Sequence, residues 1–562
     1  MPINADISAP AGSVRRDRLK IAQLLEEYKH AKEDGASQRG ISEALGIPRT
    51  TLQHWETRQQ AIGMTPATLA FFESPEGIEF IHRLVVALHL VVGWMGNGGI
   101  RLIGMIINLC GLGCIIATSY GVHQRISEQM QQNIVEYGKH EQQRLAKDMP
   151  HKKISIAEDE TFLSSDINLV AIEPVSGYVL AEQYEKSRDA KSWNAVLKSS
   201  TEGLNVEVIQ SVSDEARGLK RHAKDIGAHH SPDLFHVSNE VNRAMALPLL
   251  HRQNQAQREF DGAHKRLERQ LKAKETYFSK PRRGRNPKFD QKIQQAEEDK
   301  ERAREHLQFT QQQQLGWRDA LGAISAAYHP FDLKTGRPRT AEQFVVQISA
   351  VFDELRNIAV SSKLSTRSVA RIEKAARVVP LMVDTLRFFH ESVDKRIAAL
   401  ELPAGQAVLL KKWLLPASYL RRCIQRASNS AQRAELQEHY ADLFGEAPLV
   451  TDLSNEEGAR LEVAAIELAD IFQRSSSCVE GRNGRLSQWE HAQRRLSPKK
   501  LQGLTVIHNF VIRRPDGTTA AQRFFGKEPH DLFDWLLARI PYPPRPAAKR
   551  IYLSPQPLLQ TS

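Results

Sequence analysis

Ile154-Ser-Ile-Ala-Glu-Asp159-Glu-Thr161 and Val206-Glu-Val-Ile-Gln-Ser-Val-Ser-Asp214-Glu215 decide the fold of this chain. Both segments begin as Ile- and Val-rich buried strands, and both run out into acidic residues. Residues 167–173 and 178–184 read as two more strands around Pro174-Val-Ser-Gly177, a hairpin turn in which glycine supplies a positive φ. Ser187 can cap a following helix that carries Ala190, Trp193, Ala195 and Leu197. A three-strand meander, a crossover helix and a last strand parallel to the first predict a small mixed sheet. Glu158, Asp159 and Glu160 compete for one inward position, because a one-residue change of register swaps the faces of a strand. Asp159 is favoured, and Asp214 follows a clear strand.

A third acidic segment, Ser477-Cys-Val-Glu480-Gly-Arg-Asn483, reads as the start of a helix. Acids at the ends of neighbouring strands, with another on a helix crossing the sheet, can hold two divalent cations.

The chain has 562 residues, enough for three to five domains. Its net charge of +11 favours an anionic partner, nucleic acid first and acidic membrane second. Four cysteines in this length argue against a disulfide framework and for a reducing compartment. Cys110 and Cys114 lack a second ligand pair at zinc-site spacing and read as small apolar residues. Met1-Pro-Ile-Asn-Ala-Asp6 has no basic region followed by an apolar run, so no signal peptide is expected. Residues 84–122 are apolar and Gly-rich, long enough for a membrane span. Asn97, Asn108, Ser119, Tyr120, the interspersed glycines and the missing aromatic belt favour a buried helical domain instead, so no membrane partner is expected. The turn around Gly111 and Gly113, followed by a Ser/Thr-started helix, suggests a helix-turn-helix.

Another helix-turn-helix is expected in residues 13–60. A short helix ends at Gly46, Pro48 starts the next, and Leu52 and Trp55 are its buried positions. Arg49, Thr50, Gln53, His54 and Arg58 are then free to meet a DNA major groove. Residues 240–470 are helical in pattern. Within them, 254–277 and 287–314 flank Lys280-Pro-Arg-Arg-Gly-Arg-Asn-Pro-Lys288 as an antiparallel coiled-coil hairpin with a basic, solvated tip. Further helices are expected over 341–360, 368–400, 407–430 and 455–472. The Pro-rich basic stretch 541–550 reads as flexible.

With these strands, the two Asp positions and the Glu-Gly-Arg-Asn helix, the chain resembles the RNase-H-like DD(E/D) transposases of bacterial insertion sequences. The likeness covers best residues 154–242 and 475–525. Ser213-Asp214-Glu-Ala-Arg-Gly218-Leu219 is similar to the family's second acidic motif. Asp233-Leu-Phe-His236-Val237 is similar to a buried strand and His that come next, and His236 reads equally as a site residue or a satisfied core histidine. Ser477 to Asn483 resembles the final Glu motif.

The resemblance implies that Asp159, Asp214 and Glu480 are the catalytic residues and hold Mg²⁺ or Mn²⁺, two ions, for cleavage at transposon ends and strand transfer. Mg²⁺ prefers oxygen ligands, and two ions about 4 Å apart can activate a water or 3′-hydroxyl and stabilise the leaving oxygen. Arg482, Asn483 and Arg485, with the cations beyond them, would contact DNA phosphate. The implied partners are double-stranded DNA at transposon ends and target, in a homodimer or larger synaptic assembly; the implied location is the bacterial cytoplasm, with the nucleoid. The alternative is a DNA-binding regulator or domesticated transposase without cleavage.

The implied fold class is an α/β RNase-H-like core interrupted by a large all-α insertion, because 266 positions separate Asp214 from Glu480. The corresponding domains are 1–65 helix-turn-helix, 66–150 apolar helical with a second helix-turn-helix, 151–245 first part of the core, 246–470 insertion, 471–540 second part of the core and 541–562 tail.

Overall fold

The computed structural model describes residues 18–60, 66–280, 284–427, 429–444, 454–493 and 495–546. Two compact units emerge: Pro150–Arg485 forms one, and the residues before and after it form the other.

The discontinuous unit opens with α1 (Arg18–Glu33), α2 (Gln38–Leu45) and α3 (Arg49–Gln60), which close over Leu25, Tyr28, Ile41, Ile47 and Leu52. Ser37 caps α2 by accepting from the Gly40 N–H, and Gly46 takes a left-handed φ of 61° to turn the chain into α3. Next come α4 (Pro66–Glu73), α5 (Pro75–Leu90), α6 (Ile100–Leu109) and α7 (Tyr120–Ala146). A π-helical turn, Val91–Met95, extends α5, and that run of 21 residues is long and apolar enough to cross a membrane by length and composition. A core helix passes the same test, and Ile78, Ile81, Val85, Val86, Leu90 and Trp94 on this run are buried. The apolar stretch does not continue as one helix: it breaks at residues 96–99, and α6 is only ten residues long. Residues 110–119 separate α6 from α7, too many for the three- or four-residue turn of a helix-turn-helix. The expected turn around Gly111 and Gly113 lies within this ten-residue connection.

The continuous unit carries a five-stranded sheet in the order β3-β2-β1-β4-β5. The strands are β1 (Lys152–Leu163), β2 (Asp166–Glu173), β3 (Tyr178–Glu185), β4 (Val206–Ser213) and β5 (His229–Pro232). The first three pair antiparallel, whereas β4 is parallel to β1 and β5 to β4. This is the mixed α/β sheet expected from the strand pattern. Helix α8 (Ala190–Thr201) is the crossover, capped by Asp189 rather than Ser187; the Ser187 hydroxyl instead donates to the Asp189 carboxylate. Helix α9 (Arg217–Asp225) joins it on one face over Leu169, Ala171, Ala181, Trp193 and Leu219. Gly218 is required there, since an added Cβ would lie 2.4 Å from the Arg188 carbonyl oxygen.

The segment beginning at Asp233 is not a strand. Asp233 caps α10 (Leu234–Phe278) by accepting from the Phe235 N–H, and the last strand lies just before it. Helix α11 (Phe289–Ala327) returns along α10 as the expected antiparallel hairpin. Lys274 meets Asp290 near its tip, and His306 meets Glu259 further down. Residues 281–283 of the basic tip lie outside the described residues. Among the described residues seven more α-helices follow: Ala341–Ser361, Thr366–Ala376, Val379–Ala399, Ala404–Leu409, Leu415–Arg426, Ser430–Phe444 and Asn455–Asp470, α12 to α18. The single helix expected over 368–400 is two, because Pro380 is tolerated only in the first turn of a new one. These helices share with α11 a core of Trp317, Phe344, Phe352, Phe389, Tyr419 and Phe472. The third helix of this series, α14, covers the edge strand β5, with His229 stacked on Phe388 at 4.3 Å.

Helix α19 (Ser477–Gln493) lays Val479 on the other face of the sheet, against Ala157, Val170, Ile172 and Val179. Beyond Arg485 the chain joins the discontinuous unit rather than closing the sheet, so the expected block 471–540 is divided. There α20 (Pro498–Phe510), α21 (Ala520–Phe525) and α22 (Leu532–Leu537) pack with the early helices. Gly138 of α7 and Gly503 of α20 are close-approach positions, against Val506 and Trp94.

Gly218→Ala should destabilise the sheet unit by about 1–3 kcal/mol, because neither the backbone carbonyl nor the helix can easily give way. Urea unfolding measures this; a variant as stable as the parent would show that α9 has room to shift.

Candidate metal centre

Three consecutive acids in β1 are sorted by the pleat. Glu158 is fully buried: Ser211 Oγ donates to its Oε2, and His222 Nε2 lies 3.0 Å from Oε1. Glu160 meets Arg188 at 3.2 Å on that same side. Asp159 faces α19, where Asn483 Nδ2 donates to its Oδ2 at 3.0 Å. Glu480, one turn earlier on α19, and His236, in the first turn of α10, complete a cluster. Asp159, His236 and Glu480 each offer one ligand atom, all within 4.8 Å of one another.

Asp214 stands just past β4. Parallel pairing of Ala157 with Val212, continued two residues, puts Asp214 alongside Asp159. It nevertheless lies outside the close group, and its Oδ1 accepts from the Ala216 N–H at 2.8 Å. The three acids singled out from sequence are thus gathered at one end of the sheet, but the tight cluster takes two of them and adds His236.

One buried carboxylate holds this arrangement in place. Asp233 Oδ1 accepts from the Phe235 N–H at 2.8 Å and the Ser476 N–H at 3.0 Å, and Oδ2 accepts from Ser476 Oγ. The Asp233 N–H in turn donates to the Ser213 carbonyl at 3.0 Å. The sequence offers one signal for this role, an Asp before a run that suits a helix start as well as a buried strand.

Burial, followed by the neighbouring Glu480 and Glu160, pushes the Asp159 carboxyl up to about 8. Burial and the nearby Asp214 raise Glu160 to about 7 against the opposing pull of Arg188. Carboxylates crowded together out of water disfavour their own ionisation unless a cation joins them. His236 Nε2 is buried without a hydrogen-bond partner, 3.7 Å from Asp233 Oδ2 and 3.8 Å from Glu480 Oε1.

The residues assigned to DNA fall into two groups. Arg49, Thr50 and His54 are exposed on α3 and Arg485 is exposed on α19. Gln53 is half-buried, and its amide donates to Gln38 at 2.9 Å. The Arg58 side chain lies outside the described residues. Arg482 is not a surface cation: it is buried and forms a two-pronged ion pair with buried Glu182, with Nε 2.8 Å from Oε1. Asn483 is buried too and is engaged with Asp159.

A family model described as a family of unknown function, DUF6399, matches residues 410–552. That span includes Glu480 and Asn483 but neither Asp159 nor His236. No curated protein matches the chain.

The folded protein holds a proton on Asp159 that the unfolded chain, with its ordinary value of 3.8, gives up earlier. Metal-free stability should therefore fall as pH rises from about 4 to about 8. Asp159→Asn should flatten that fall in thermal melts run in EDTA; identical slopes for parent and variant would mean that Asp159 ionises normally. Asp233→Ala strands buried donors at the starts of two helices, each costing about 1–3 kcal/mol. Urea unfolding should register a loss of about 3 kcal/mol or more, and a loss under about 0.5 kcal/mol would remove Asp233 as an anchor.

Proposed function

We propose that the chain is a DNA transposase of the DD(E/D) type, with an RNase-H-like core interrupted by an all-helical insertion. One observation carries this reading. A β3-β2-β1-β4-β5 sheet places Asp159 at its centre and Asp214 at the end of the adjacent parallel strand, while a helix from 324 positions away brings Asn483 and its neighbour Glu480 onto Asp159. The exposed Arg49, Thr50 and His54 of α3 serve DNA recognition, and Arg485 serves the phosphate backbone.

The residues present fit a divalent cation. Two carboxylates and an imidazole converge, the imidazole nitrogen has no hydrogen-bond partner, and Asp159 is left with uncompensated acidic neighbours. Asp159, Glu480 and His236 would hold the first ion, and Asp214 beside Asp159 offers the second position of a pair. Oxygen ligands suit Mg²⁺, and the imidazole widens the choice toward Mn²⁺. A bound ion supplies charge neutralisation at phosphate and a lowered pKa for the attacking hydroxyl. Asn483 fixes the orientation of the Asp159 carboxylate, and the Arg482–Glu182 pair ties α19 to β3. In the first reaction a water oxygen bonds to phosphorus and the bond to the 3′ oxygen breaks, freeing a 3′-hydroxyl. That hydroxyl then attacks a target phosphodiester in the same way.

The test is cleavage of labelled DNA drawn from either side of the coding sequence. Nicking should require Mg²⁺ or Mn²⁺, disappear in Asp159→Asn and Glu480→Gln, and weaken about 10–100-fold in Asn483→Ala. Sequence-specific binding without metal-dependent nicking would instead mark a DNA-binding regulator.

A further inference from the structure

The outer part of the α10–α11 hairpin is held by a small apolar seam of its own, Leu267, Ile293 and Ala296 with Phe289 against them. A groove runs along this seam past Ala296, flanked by Arg266 and Arg269 of α10 and by Lys288 and Lys292 just before and within α11. All four cations are exposed.

Elsewhere on the hairpin, acids find cations: Glu259 meets His306, Glu268 meets His264, Asp290 meets Lys274 and Glu301 meets Arg304. The groove is different. Among the described residues lining it the acid is Asp299, whose Oδ1 already accepts from Arg302 and from Gln295 Nε2. Arg266, Arg269, Lys288 and Lys292 form no ion pair and no side-chain hydrogen bond within the described residues. Like charges three or four positions apart on a helix repel one another, and both pairs here have that spacing. An external anion would remove that repulsion.

The cations form a row rather than a point. The Lys274–Asp290 and Glu259–His306 pairs set the antiparallel register of the two helices, and in that register Lys292 and then Lys288 lie beyond Arg269 toward the tip. From Arg266 to Lys288 the row spans about ten residues of helix, or about 15 Å. One strand of a duplex places a phosphate about every 3.4 Å along the axis, so the row matches about four of them. A single small anion would meet only part of it. A membrane-binding helix needs large apolar side chains beside its cations, and a single-strand site needs aromatic platforms; the groove has Ala296 and the amides of Gln270 and Gln291 in their place. We propose that this face of the α10–α11 hairpin binds the phosphate backbone of double-stranded DNA. The contact lies outside the helix-turn-helix and the metal cluster, and it does not rest on cleavage.

Fluorescence anisotropy of a labelled DNA duplex with the full chain in EDTA, repeated across salt concentrations, reads how many phosphates are engaged. Arg266→Gln with Arg269→Gln, and separately Lys288→Gln with Lys292→Gln, should each flatten the slope of log K against log salt by about 1.8, about 0.9 for each cation removed. These positions are exposed, so thermal melts should match the parent's. Lys300→Gln with Arg304→Gln removes the same charge outside the groove and should leave the slope at the parent's value. Unchanged slopes in both groove variants, or an equal flattening in the charge-matched control, overturns the proposal. So does binding to phosphatidylserine vesicles or to duplex RNA that the groove variants lose while their DNA binding stays as in the parent.

Discussion

Asp233 is the constraint on which the cluster of Asp159, His236 and Glu480 depends. Its backbone is tied to the end of β4, and its carboxylate caps α10 and accepts two hydrogen bonds from Ser476 at the start of α19. A buried carboxylate is tolerable only when donors replace its lost water, and here the donors belong to segments 243 positions apart in sequence. Satisfying one charge therefore fixes where two helices begin. His236 lies in the first turn of one and Glu480 in the first turn of the other, so their meeting with Asp159 follows from the shared anchor. The Leu234 N–H, donating to the Arg474 carbonyl at 2.9 Å, reinforces the same junction.

The insertion between β5 and α19 is large, yet it leaves the geometry of the sheet intact. Its helices have a core of their own around Phe344, Phe389 and Phe472, and that core touches the sheet along β5. On return, α19 is held by Val479 in the apolar layer and by the buried Arg482–Glu182 pair. Such a pair gives little net stability, because both charges must be dehydrated. Either charge alone would be costly in that place, so the pair selects one seating of α19 on β3. That seating is the one that points Asn483 at Asp159.

Local patterns that face a core could be read from the sequence, whereas partnerships between distant residues could not. Strands β1 to β4 and the α10–α11 hairpin follow from apolar periodicity and turn chemistry, and the Gly46 turn from its neighbours. Asp233 misled because Leu234-Phe-His-Val237 suits a buried strand as well as a helix start; only the cap geometry separates the two. Arg482 read as a phosphate contact because a cation in a basic run is usually solvated, and nothing near it in sequence announced Glu182. The residues 84–122 posed the same difficulty: hydropathy marked an apolar stretch, but its interruptions at 96–99 and 110–119 depend on backbone turns that composition does not fix.

The two faces of β1 show why Asp159, among three adjacent acids, is suited to a ligand. Glu158 and Glu160 turn toward α8 and α9, where His222 lies 3.0 Å from the first and Arg188 3.2 Å from the second. Asp159 turns the other way and meets an amide, a second carboxylate and an imidazole without a hydrogen-bond partner at Nε2. A slip of one residue would exchange these surroundings and take Asp159 away from Asn483, Glu480 and His236. The β1–β4 pairing and the Ser211–Glu158 hydrogen bond oppose that slip. The strand thus holds Asp159 on the face to which α10 and α19 deliver the other two candidate ligands, and a divalent cation would relieve the repulsion between the carboxylates gathered there.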